Sequence, residues 1–150
     1  MTPSAPSIKI GSKAPDFTLP DKDGTPVSLQ DHLHPNGVVT AFIHGVWCPA
    51  CMSHVASLRR AYWFISREKV NILVVAQQPP ESVDNFEFSQ TAPLPFPIVA
   101  DETGEVFSMY DVSNEHDLHH DRPSFFIDQD GVIQKINKSV DTDALTPFGV

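Results

Sequence analysis

The chain has 150 residues, of which 41% are hydrophobic and 19% charged, enough for one domain with a proper core. Ten Lys and Arg stand against 19 Asp and Glu, a formal net charge of −9. That balance argues against nucleic-acid binding, which needs a basic face, and suits anionic membrane surfaces poorly. Two cysteines do not make a disulfide-stapled scaffold. The stretch Met1 to Ile10 lacks the basic-then-apolar order of a signal peptide, and no apolar run approaches the ~18 residues of a membrane span. A cytoplasmic location is therefore expected.

Residues 1–10 read as a flexible arm, with Pro3 and Pro6 among small polar residues, and residues 11–150 as one domain. Two short β-rich runs, Ala14 to Pro20 and Thr25 to Leu29, flank Asp21-Lys22-Asp23-Gly24, which predicts a hairpin. Ser28 is placed to cap a short helix toward Leu33. Val38 to Ile43 is the first core strand. After Cys51, Val55, Leu58, Tyr62 and Ile65 recur at helical spacing, with Arg59, Arg60 and Arg67 mostly outside that stripe. Val70 to Ala76 is near-continuously apolar, as expected of a strand covered on both faces. A short helix is expected from Pro79 through Phe88, a loop over the prolines at 93, 95 and 97, and a brief strand at Ile98 to Ala100. Thr103 to Met109 reads as a helix. Pro123 to Asp128 and Val132 to Ile136 read as strands joined by Gln129-Asp130-Gly131, and a last helix could start at Asp141. Alternation of strands and helices with a closing hairpin implies an α/β layer fold with a mixed sheet.

Cys48 and Cys51 are the two cysteines, in Trp47-Cys48-Pro49-Ala50-Cys51. The first strand precedes them and the long helix follows. Partial positive charge at a helix N-terminus favours a thiolate over a thiol. Pro49 suits a first helical position, having no N–H to lose. The second sulfur, one turn on, can close a disulfide with the first, and both are expected at the mouth of a cleft. The chemistry this predicts is thiol–disulfide exchange.

A Cys-x-x-Cys in a βαβ setting resembles the active-site turn of the thioredoxin superfamily. The opening Gly11-Ser12-Lys13-Ala14-Pro15-Asp16-Phe17-Thr18-Leu19-Pro20-Asp21-Lys22-Asp23-Gly24 is similar to that of peroxiredoxins, in the family named for alkyl hydroperoxide reductase and thiol-specific antioxidant. Arg122-Pro123-Ser124-Phe125-Phe126-Ile127-Asp128-Gln129-Asp130-Gly131 resembles that family's late strand pair. The resemblance spans residues 11 to 136. It implies one thioredoxin-like domain, a central mixed β-sheet flanked by helices, with an N-terminal β-hairpin extension.

Two registers follow from the resemblance. As a thioredoxin-type reductase, the chain uses Cys48 as nucleophile and Cys51 as resolving thiol. Pro123, cis in that family, then faces the dithiol and bounds the substrate groove, with Trp47 and Pro49 beside it. Arg122 assists electrostatically. As a peroxiredoxin, the chain uses Cys51 as the oxidised residue, and Arg122 polarises the peroxide. Cys48 then stands where that family has Thr or Ser, and His44 where it has Pro; the missing hydroxyl weakens this register. Disulfides or hydroperoxides are the implied substrates, and thioredoxin, glutaredoxin or a small thiol the implied electron donor. No metal or other cofactor is implied.

A reading of another class is a metal-binding or carrier module that joins the dithiol to His116, His119 and His120. A structural zinc site usually needs four ligands and there is no second Cys-x-x-Cys, so these histidines read first as a solvated loop. Trp47 serves equally as a substrate platform or as packing that shields the dithiol. His44 reads as a tuner of the thiolates or as a structural residue.

Overall fold

The structure, a computed structural model, describes residues 8–43, 49–83, 94–112 and 123–137. A five-stranded mixed sheet carries the fold, in the order β5-β4-β3-β6-β7. The strands are β3 (Val38–Ile43), β4 (Asn71–Ala76), β5 (Ile98–Ala100), β6 (Ser124–Ile127) and β7 (Ile133–Asn137). β3 pairs in parallel with β4, and β4 with β5. β6 runs antiparallel to β3, and β7 antiparallel to β6. The separate hairpin pairs β1 (Thr18–Pro20) with β2 (Pro26–Ser28). Asp21 Oδ1 accepts from the backbone N–H groups of Asp23 and Thr25 at 2.9 and 3.0 Å, and Gly24 supplies φ 82°. The Asp-Gly signal therefore acts as a turn, as expected.

Every residue of β3 is buried, because both faces of the sheet are covered. Val39, Ala41 and Ile43 face α1 (Pro49–Arg67) together with Ile72, Val74 and Ala76 of β4. Val38 and Phe42 face the other way, into an aromatic layer with Phe17, Phe107, Tyr110 and Phe125. The Phe42 ring meets Phe107, Tyr110 and Phe125 at centroid distances of 5.1, 5.1 and 5.6 Å. The Phe107 and Phe125 contacts are edge-to-face and the Tyr110 contact is tilted; aromatic pairs of this kind add about 0.5–1.5 kcal/mol each beyond area burial.

The predicted stripe on α1 is observed: Val55, Leu58 and Ile65 are buried, with Tyr62 packed at the margin. Arg60 and Arg67 are exposed. Trp63 and Phe64 are exposed too, and Arg67 lies over the Trp63 ring at 4.5 Å. Ser28 Oγ accepts from Asp31 N–H at 3.2 Å, at the start of a single 3-10 turn over Gln30–His32. Further on, Gly37 at φ 102° turns the chain into β3. The helix expected from Thr103 is α2 (Glu105–Met109), and it starts later because Gly104 adopts φ 78° before it. Helix is described at 80–83. The rest of that element, and any last helix beyond Asp141, lie outside the described residues.

Candidate functional site

The site lies where the C-terminal end of β3 hands the chain to α1. Ile43 ends the strand and Pro49 is the first helical residue. Antiparallel β6 brings residue 123 to the same end of the sheet. Ala41 pairs with Ser124, and the Pro123 carbonyl accepts from Phe42 N–H at 2.9 Å. Pro123 is buried beside the strand that leads to Cys48. Trp47, Cys48 and Arg122 lie outside the described residues, as do His44, His116, His119, His120 and the Arg122–Pro123 bond.

Cys51 is the third residue of α1, in a first turn that holds no acidic residue. Unpaired N–H groups at a helix start and the helix dipole both favour negative charge in this region. The Cys51 side chain is 0% exposed and belongs to the cluster of Val39, Ala41, Ile43, Val55 and Leu58. This departs from the expectation of two sulfurs open at a cleft mouth. Counting back along the buried stripe of α1 gives the reason: Leu58, Val55 and Cys51 recur at helical spacing, so Cys51 falls on the core-facing side.

His54 was not singled out from the sequence. It is 2% exposed, on the same side of α1, and its Nε2 lies 3.3 Å from Ser124 Oγ. Ser124 is itself fully buried. A signal for this was present, since His54 stands three residues after Cys51 and four before Leu58. The polar residue type hid it.

A cavity of about 470 Å³ opens elsewhere, between the hairpin and the start of α2, lined in part by Asp16, Phe17, Asp101, Glu105 and Met109. Cys51, His54 and Pro123 do not line it. Asp101 at its edge is buried, and its Oδ2 accepts from Phe107 N–H at 2.9 Å. Burial raises the Asp101 carboxyl above its ordinary 3.8, while backbone N–H groups of Phe107, Val106, Glu105 and Gly104 pull it back down. The residue acts as a cap for α2. No helix among the described residues is long and apolar enough to cross a membrane.

The sequence profile of the AhpC/TSA family matches residues 10–136. The chain is 30% identical over 136 residues to Peroxiredoxin Bcp of Escherichia coli K12, covering 86% of this chain and 85% of that one. It is 31% identical over 131 residues to the thiol-disulfide oxidoreductase ResA of Geobacillus thermodenitrificans, covering 87% of this chain and 70% of that one. Among solved structures, Peroxidoxin BcpB from Mycobacterium tuberculosis superposes with a TM-score of 0.77 over 92% of both chains, at 21% identity. That likeness is one of fold.

Proposed function

The chain belongs to the AhpC/TSA family and is a thiol-dependent redox enzyme, and from that premise we propose that it reduces disulfide substrates by exchange through Cys48 and Cys51. The observation that carries this reading is the complete burial of Cys51. A thiol shut in the core is badly placed to meet a substrate first and well placed to attack a bond already formed at its neighbour. In this reading Cys48, at the helix entrance, attacks the substrate disulfide and forms a mixed disulfide. Cys51 then attacks Cys48 Sγ, the second substrate sulfur leaves as a thiolate, and the Cys48–Cys51 disulfide remains. An external dithiol, of thioredoxin or glutaredoxin type, or a small thiol, restores the reduced pair.

Pro123 bounds the groove. Its carbonyl is engaged by Phe42, which holds Pro123 next to the strand that feeds the dithiol. Arg122 steadies developing negative charge on sulfur. Trp47 and Pro49 flank the nucleophile. The likeness to Peroxiredoxin Bcp favours a second reading, in which Cys51 is oxidised by hydroperoxide to a sulfenic acid and Cys48 resolves it.

Serine substitutions separate the two. The reduced chain is mixed with hydrogen peroxide and, in parallel, with a disulfide substrate. Exchange predicts that Cys48→Ser abolishes both reactions, whereas Cys51→Ser still forms a mixed disulfide and stalls there. Rapid peroxide consumption by Cys48→Ser, lost in Cys51→Ser, would overturn the exchange reading. A metal bound at one per chain after dialysis of the reduced protein would instead favour the carrier reading that uses His116, His119 and His120.

A further inference from the structure

The exchange steps above give His54 no part, although an imidazole buried under α1 needs a reason. An apolar side chain would fill the same space without the cost of taking a polar ring out of water. Cys51 and His54 are three residues apart, which sets them one turn from each other on one helix face. Both are buried against the sheet. Ser124 meets the imidazole from the opposite side, 3.3 Å from Nε2. It directly follows Pro123 and pairs with Ala41, whose side chain also faces α1.

The described strands packed on this side present apolar or hydroxyl-bearing residues toward α1. β3 presents Val39, Ala41 and Ile43, β4 presents Ile72, Val74 and Ala76, and β5 presents Ile98 and Ala100. β6 presents Ser124 and Phe126. Cys51 is a titratable neighbour along α1 on this face.

A buried thiol has a specific difficulty. The thiolate is the attacking form, and apolar surroundings disfavour it. The second half of exchange therefore needs somewhere for the proton to go, at a place closed to water. We propose that His54, oriented by Ser124, takes the proton of Cys51 as that thiol resolves the mixed disulfide; this rests on the exchange reading. In the mixed disulfide, Cys48 Sγ is bonded to one substrate sulfur. The Cys51 S–H proton passes to the neutral imidazole while Cys51 Sγ attacks Cys48 Sγ. The Cys48–Cys51 bond forms, the bond from Cys48 to the substrate sulfur breaks, and its electron pair leaves with the substrate thiolate. The imidazolium returns its proton to that thiolate or to water. Over the whole exchange the substrate disulfide gains two electrons and the protein dithiol loses two.

The test uses the full reduced chain and one equivalent of dithiobis(nitrobenzoate), an aromatic disulfide, with thionitrobenzoate release followed by stopped flow. Attack by Cys48 releases the first thionitrobenzoate, and closure by Cys51 releases the second. His54→Gln is expected to slow the second release about 100-fold, the lower end for loss of a positioned acid–base group. The first release should keep its wild-type rate, which also reports that the variant is folded. In the wild type the second release should slow as pH falls from about 8 to 5, where imidazole ordinarily gains its proton. In His54→Gln and in His54→Leu, which fills the space with an apolar group, closure should no longer level off above the imidazole range and should instead keep rising with pH as Cys51 itself ionises. Ser124→Ala should slow closure less and retain the acid limb. A second release at the wild-type rate in either His54 variant, or a wild-type profile without the acid limb, overturns the proposal and leaves exchange standing. A wild type that never releases the second equivalent sinks the exchange reading, and this proposal with it.

Discussion

Tyr110 closes the aromatic side of the sheet, and removing its hydroxyl gives a prediction with two independent readouts. The ring is buried and packs on Phe17, Phe42 and Phe125 at centroid distances of 5.9, 5.1 and 5.3 Å. Its hydroxyl donates to the Pro15 carbonyl at 2.6 Å, tying the segment before β1 to the body of the domain. Tyr110→Phe leaves the ring in place and strips the Pro15 carbonyl of this donor. The bond is part-buried, so the unsatisfied acceptor costs at the low end of about 1–3 kcal/mol and a loss near 1 kcal/mol is expected. For a chain of this size that corresponds to roughly 2–4 °C in Tm.

The second readout is alkaline. Burial raises the phenol well above its ordinary 10.0, with a smaller contribution from the Asp16 charge. The folded chain thus keeps a proton that the unfolded chain releases once pH passes 10.0. With fewer protons bound in the unfolded state, stability must fall as pH rises, by up to about 1.4 kcal/mol per pH unit for one such group. Urea unfolding at pH 7 and across the alkaline range, on both proteins, tests this. The variant should be less stable at pH 7 and should lose less stability at high pH. A pH 7 difference below about 0.5 kcal/mol, the range of ordinary surface substitutions, together with parallel alkaline curves would refute the reasoning.

Two further predictions concern stability. Asp101 is 1% exposed with its carboxyl raised above 3.8 by burial, so the folded state holds a proton that the unfolded state releases. Its contribution to stability falls as pH rises from 3.8 through the folded value, then stays flat. Asp101→Asn should flatten that part of the curve, measured by urea midpoints at a series of acidic pH values. At Gly37, φ is 102° and an added Cβ would run into the backbone oxygen of Ile127. Gly37→Ala is therefore expected to cost about 3 kcal/mol, read as a lower denaturant midpoint with an unchanged m-value. An unchanged midpoint would mean that the β3–β6 contact yields more readily than a packed sheet should.

The elements that were legible in the sequence are those governed by local rules. β3 and β4 were read nearly to the residue, because strands covered on both faces need continuous apolar runs. Turns at Asp21 to Gly24 and at Asp128 to Gly131 were legible because Asp carboxylates bond the backbone two to four residues on, and both glycines take φ 82°. The N-terminal hairpin and the closing antiparallel strands followed from the same signals. What sequence patterns did not reveal depends on long-range pairing. Nothing local states that β6 lies beside β3 rather than at a sheet edge, yet that choice carries residues 123 and 124 to α1. The burial of Cys51 was within reach, by extending the Val55–Leu58 stripe one turn back. The motif drew attention to cysteine reactivity and away from helix phase.

The two sides of the sheet impose different conditions on the residues they hold. On the aromatic side, large rings interlock, and a polar atom survives there by tying down a loop, as the Tyr110 hydroxyl does at Pro15. Under the start of α1 the facing strands offer small side chains instead: Ala41 and Ser124 are cross-strand partners. A pair that small leaves room for a ring projecting from the helix above, and a serine in the pair supplies the hydrogen-bond partner that a second alanine could not. That His54 occupies this room, one turn from the buried thiol, joins packing to chemistry. Substituting a large apolar residue at Ala41 or Ser124 would compete with the imidazole for its space before it touched either sulfur. In the proposed exchange, residues with no place in the motif therefore set the conditions under which the second cysteine reacts.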